Sequence, residues 1–83
     1  MIRGSLNYRR PKNPELEAEI SALLSKHSGI KLGEFGINDG QFELQIGFKK
    51  IQSVTSFEKE IRELSNRTRH TIQITIIKPR EEI

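Results

Sequence analysis

The chain has 83 residues, 34% hydrophobic and 6% aromatic, with no Trp and no Cys. This length holds one domain with a small core, the missing Cys excludes disulfides and Cys-ligated zinc, and no apolar run approaches the roughly 20 residues of a membrane span. The net charge of +3 is unevenly spread: residues 1–13 carry Arg3, Arg9, Arg10 and Lys12 with no acid, while the remainder is nearly balanced.

Residues 1–12 are therefore expected to be a basic flexible arm ahead of a domain spanning 13–79. Leu6 and Tyr8 alternate, which also allows a short edge strand. A basic arm suits phosphate backbones, anionic headgroups or a juxtamembrane position; it can equally be a solvated tail. The N-terminus lacks the apolar stretch of a signal peptide, and a cytoplasmic location is expected.

The spacing predicts a first helix over 14–28. Asn13 can cap it, Pro14 suits the first helical position, and Glu15 and Glu17 lie where the helix dipole favours negative charge. Leu16, Ile20, Leu23 and Leu24 form one apolar stripe, and Gly29 can supply a left-handed C-terminal residue. Residues 30–37 are apolar but change phase around Gly33 and Gly36, as a bulged strand would. Asn38-Asp39-Gly40 signals a tight turn. Residues 41–49 alternate cleanly, with Phe42, Leu44, Ile46 and Phe48 on one side.

Thr55 and Glu58 have capping-box spacing, and Phe57, Ile61 and Leu64 then define a second helix over 55–65. Residues 71–77 give a last strand, with Ile72, Ile74 and Ile76 on one face; Pro79 stops it and 80–83 form a frayed tail. The expected fold class is α+β: an αββαβ two-layer sandwich with two helices on one face of a three-stranded mixed sheet. The right-handed crossover through the second helix would leave the last two strands parallel. The other face stays open and presents Glu43, Gln45, Thr71, Gln73, Thr75 and Ile77.

No catalytic constellation is visible. His27 and His70 are the only imidazoles, and neither lies near a Ser in a G-x-S-x-G setting. His27, His70, Glu34, Asp39, Glu43 and the set Glu58, Glu60 and Glu63 lack metal-ligand spacing, so no metal and no cofactor is expected. Gly33-Glu34-Phe35-Gly36 matches the G-x-x-G of KH domains in form, but an acid and a large aromatic fill its middle, which suits a bulge better than a phosphate clamp. The chain is thus expected to be a non-enzymatic interaction module. It would self-associate, as a dimer, or dock a protein through the open face. The alternative is nucleic-acid binding through Arg3, Arg9, Arg10, Lys12, Arg67 and Arg69.

Pro14-Glu15-Leu16, Gly29-Ile30, Asp39-Gly40 and Ile74-Thr75-Ile76-Ile77-Lys78-Pro79, in an αββαβ order over 14–79, resemble the C-terminal cytosolic domain of cation diffusion facilitator transporters. The resemblance implies a dimerising regulatory domain beneath a membrane. In that family the domain binds metal. Here strand two reads Leu44-Gln45-Ile46-Gly47 and Ile77 stands where a His is often found, so no metal site carries over. Ring-building and secretion-system modules share similar layouts.

Overall fold

The computed structural model describes residues 1–77; the expected stop at Pro79 and the tail at 80–83 lie outside the described residues. In chain order the elements are β1 (Ile2–Arg9), α1 (Pro14–Lys26), β2 (Ile30–Lys31), β3 (Gly36–Asn38), β4 (Gln41–Phe48), α2 (Ile51–Thr68) and β5 (Ile72–Ile77).

The N-terminal segment is the largest departure from expectation. Residues 2–9 are neither an arm nor an edge strand: they form β1, with β4 on one side and β5 on the other. Ile2, Gly4, Leu6 and Tyr8 face the helices, and Leu6 and Tyr8 are fully buried. Burying an apolar side chain of that size contributes about 1.5–3 kcal/mol, so β1 is integral to the core. Gly4 interrupts the apolar alternation for a steric reason. A Cβ there would lie 2.6 Å from the Thr75 carbonyl oxygen and 2.8 Å from Ile76 Cδ1.

Among the described residues the sheet therefore has five strands rather than three, in the order β2–β4–β1–β5, with β3 also paired to β4. Every pairing is antiparallel, so the expected mixed sheet does not form. Strands β4 and β5 do run in the same direction, as the crossover through α2 requires, but β1 lies between them and takes their hydrogen bonds.

The phase change after residue 30 is an interruption in one edge strand. From Lys31 to Gly36 the chain takes five steps while β4 takes three, from Ile46 to Glu43. Two extra residues thus loop out around Gly33 and Glu34. The following turn forms as expected, with Asp39 and Gly40 both at positive φ (54° and 77°), joining β3 to β4.

In α1, Asn13 is extended and its Oδ1 accepts from Leu16 N at 3.1 Å. The helix ends at Lys26, two residues early, and Ser28 rather than Gly29 takes the left-handed conformation (φ 59°). Gly29 serves packing instead: a Cβ there would collide with Leu24 Cδ1 and lie 2.7 Å from Phe48 Cε1. α2 begins four residues before the expected start. The capping box does not form; Thr55 Oγ1 donates back to Ile51 O at 3.3 Å, inside the helix. Val54 joins Phe57, Ile61 and Leu64 in the buried stripe, and gaining that contact favours the earlier start. The end moves from 65 to Thr68, with Arg69 left-handed (φ 59°).

Both helices cover one face of the sheet. Leu16, Ile20 and Leu24 of α1 and the α2 stripe meet Leu6, Tyr8, Phe42, Leu44, Ile46 and Phe48 in a single core. The two-layer α+β architecture with helices on one side is as expected. So is the burial of Phe42 and Phe48.

Candidate interaction surface

The register places the uncovered face row by row. Directly opposed residues in an antiparallel pair share a face. One row across the sheet runs Ile30, Gly47, Arg3, Ile77; the next Gln45, Ser5, Thr75; the next Gly36, Glu43, Asn7, Gln73; and the last Asn38, Gln41, Arg9. Glu43, Gln45, Gln73, Thr75 and Ile77 are thereby brought to one face, as the sequence suggested. Thr71 is exposed just before β5 rather than within it. Strand β1 separates the two groups and adds Arg3, Ser5, Asn7 and Arg9.

The face has two halves of different chemistry. At one end Gly47 opens a hollow in the outward phase of β4, where an added Cβ would lie 2.6 Å from Met1 Sδ and 3.4 Å from Leu32 Cδ1. Met1 and Leu32 thus close over it. Beside them Ile30 and Ile77 occupy the same row, and all four are exposed, Met1 and Ile77 at 63% each. Met1, Ile30 and Leu32 escaped the sequence reading. The available signal was Gly47 itself, a missing side chain in an outward phase that admits its neighbours.

The middle rows are polar. Glu43 accepts from Gln45 Nε2 at 2.9 Å and from Asn38 Nδ2 at 3.5 Å. The Asn7 Oδ1 atom, between Glu43 and Gln73, is occluded and accepts no hydrogen bond among the described residues. Aromatic rings do not line this face: Tyr8 stacks on Phe42 at 5.4 Å and meets Phe35 edge-on at 5.8 Å, and Phe48 packs on Phe57 at 5.3 Å, all within or against the core.

The basic residues divide unequally. Of the six singled out from the sequence, Arg3 is at the apolar end. Strand β5 starts opposite Tyr8, so the exit of β1 and the exit of α2 meet at the other end, where Asn13 Nδ2 and His70 Nε2 are 3.2 Å apart. That end gathers Arg9, Arg10, Lys12, Arg67 and Arg69, all exposed. Two are engaged locally. Lys12 pairs with Glu17 at 3.1 Å and lies 5.1 Å over the Phe42 ring, and Arg67 reaches Glu19 at 3.7 Å.

His27 does not stand free at its helix end. It bonds the Glu60 carboxylate, which also accepts from Lys26 at 2.9 Å. Those bonds, Lys26 first and His27 second, hold the Glu60 carboxyl below its ordinary value of 4.5. Among the described residues no three His, Asp or Glu side chains converge as metal ligands would, and no helix is long and apolar enough to cross a membrane. The clefts are open, one of about 310 Å³ lying between Asn13, Glu19, Thr68 and His70.

No protein-family model matches the chain, and no curated protein matches it in sequence. Solved structures do match in shape. A formyltetrahydrofolate deformylase from Burkholderia mallei superposes with a TM-score of 0.61 at 18% identity, over 89% of this chain; the chain spans only 27% of that enzyme. The de novo designed protein Foldit4 matches at 0.67 and 15% identity, over 95% of this chain and 98% of its own. The de novo design LFR1 1, with a ferredoxin fold, matches at 0.54 and 16% identity, over 94% and 85%. At these identities the likeness concerns the backbone alone. The chain is similar to ferredoxin-like α+β domains: two helices on one face of an antiparallel sheet whose first strand lies in the middle.

Proposed function

We propose that this domain is a non-enzymatic interaction module that self-associates or docks a protein partner through the uncovered sheet face. The carrying observation is the apolar end of that face, where Met1, Ile30 and Leu32 are exposed together around Gly47 and Ile77 is exposed in the same row beyond Arg3. Contiguous exposed apolar side chains rimmed by polar ones mark contact sites. Here the rim is Arg3, Gln45, Ser5 and Thr75, which can hydrogen-bond across an interface. The resemblance to the dimerising cytosolic domain of cation diffusion facilitators points the same way, to a cytoplasmic regulatory module without that family's metal site. The test is sedimentation equilibrium of the chain against Ile30→Glu and Thr75→Glu, both at exposed positions. Self-association is expected to weaken about tenfold in each. Unchanged association in both would remove this face from the interface.

A second reading rests on the basic end. Arg9, Arg10, Lys12, Arg67 and Arg69 come together from distant parts of the sequence, and such a cluster can neutralise phosphates. It would bind nucleic acid without sequence preference, because no ring is free on the open face to stack a base. Binding of a single-stranded oligonucleotide should then fall steeply with salt, and Arg10→Glu with Arg69→Glu should flatten that dependence. A salt slope unaffected by both would end this reading.

A further inference from the structure

We infer that the free edge of β5 pairs with the same edge of a second copy of this chain, in an antiparallel register centred on Ile74. This surface is the backbone edge of β5 rather than the uncovered face above, although Gln73 and Thr75 belong to both. Among the described residues β5 is bonded to β1 alone, so one row of its backbone donors and acceptors is unpaired. Natural edges are usually blunted by charge, Pro, a bulge or shortness. The opposite edge of this sheet is blunted in that way, broken into β2 and β3 with two residues looped out. β5 has none of these features: Ile72–Ile77 is continuous, uncharged, and β-branched at every position except Gln73.

The layer behind the edge is also incomplete. Ile72, Ile74 and Ile76 face the helices yet are only half-buried, whereas the equivalent residues of β4 are fully buried. An open groove of about 450 Å³ runs between β5 and α2, walled by Ile61, Ile72 and Ile74 and rimmed by Glu58 and Arg62. An added strand would fill it with side chains in the inward phase.

The charges of the rim select a second copy as that strand. Ser65 is level with Ile72, whose N–H points to its Oγ at 3.4 Å. Helix and strand run in opposite directions, and they rise about 1.5 and 3.3 Å per residue. Arg62 therefore comes level with the 73–74 step of β5 and Glu58 level with the 75–76 step. A twofold axis through Ile74 exchanges these levels, setting Glu58 of each copy opposite Arg62 of the other. The same axis places Ile74 against its own copy, Ile72 against Ile76 in the helix-facing layer, and Gln73 against Thr75 on the outer face. Each row is matched in chemistry with itself reversed, which is what an isologous contact needs.

Two measurements on the full chain test this. In sedimentation equilibrium, Glu58→Arg sets like charges opposite each other twice per dimer and should weaken association about tenfold, and Glu58→Arg with Arg62→Glu should restore it. In the Cys-free chain, Ile74→Cys should oxidise to a covalent dimer, while Ile77→Cys, far from the axis, should not. A chain monomeric to about 1 mM, an association indifferent to Glu58→Arg, or a failure of Ile74→Cys to cross-link would each overturn the inference. Ile30→Glu lies at the far edge of the sheet and affects only the uncovered-face reading, so the two can fail separately.

Discussion

The hydroxyl of Tyr8, on the central strand, donates to the carboxylate of Glu17, in the first turn of α1. The same hydroxyl accepts from Asn13 N at 3.1 Å. One oxygen thus ties β1 to the N-cap of the helix that follows, and Lys12 donates to both oxygens of the same Glu17 carboxylate, at 3.1 and 3.2 Å. Tyr8→Phe keeps the ring but takes the acceptor from Asn13 N and one donor from the Glu17 carboxylate, which keeps Lys12. It should destabilise the domain by about 1–3 kcal/mol, read as a lower denaturant midpoint with an unchanged slope.

The same contact predicts alkaline behaviour. Burial first, and then donation to Glu17, push the Tyr8 hydroxyl up from 10.0 to about 12. An acid group raised in the folded state contributes stability that is complete below its unfolded value and is lost as pH rises through the folded one. Stability should therefore decline between pH 10 and about 12. Tyr8 is the chain's one tyrosine, so its absorbance titration in the folded protein reports this directly. A midpoint at 10 would show the hydroxyl unengaged.

Acid should loosen the opposite end of α1. The Glu60 carboxyl, held low by Lys26 and His27, joins α2 to the C-terminus of α1. A lowered carboxyl adds stability that is present above its unfolded value and lost as pH falls through the folded one. Denaturant midpoints at about pH 7 and about pH 3 should converge in Glu60→Gln relative to the parent. An unchanged difference would place the acid sensitivity elsewhere.

Gly4 measures how closely β1 and β5 approach. The side chain added by Gly4→Ala would press on the Thr75 carbonyl, and a backbone oxygen cannot swing aside as a side chain does. The expected loss is about 1–3 kcal/mol, as for overpacking a core. Gly33→Ala, where a Cβ meets nothing within 4 Å, is the matched control and should be nearly neutral.

Deleting residues 1–9 separates a central strand from an arm most sharply. Without β1, β4 and β5 have no common neighbour, and Leu6 and Tyr8 leave the core. The truncated chain should lose its cooperative thermal transition in far-UV circular dichroism. An arm, by contrast, could be removed with the transition intact.

Why β1 was hidden in the sequence has a physical answer. Its inward positions are Ile2, Gly4, Leu6 and Tyr8, and the glycine demanded by the close approach to β5 breaks the alternation at its second step. Its outward positions include Arg3 and Arg9, so charge dominated the reading. The site shared this fate in part. Gln73, Thr75 and Glu43 could be assigned to an open face because their own strands alternate. Ile77 was assigned there too, but its row with Arg3, Gly47 and Ile30 could not be assembled, because four separate segments build it.

Local chemistry was enough to determine α1 with its Asn13 cap, the Asp39-Gly40 turn, the one-sided strands β4 and β5, and the helix-covered layer that buries Phe42 and Phe48. Those features depend on periodicity and on groups a few residues apart. Tertiary structure alone decided the five-strand antiparallel order, the early start of α2 and the apolar end of the open face. The early start of α2 depends on Val54 reaching the core; the strand order and the row across the open face depend on β1 meeting β4 and β5 some 40 and 70 residues later, where register and steric fit, rather than local pattern, choose the partner.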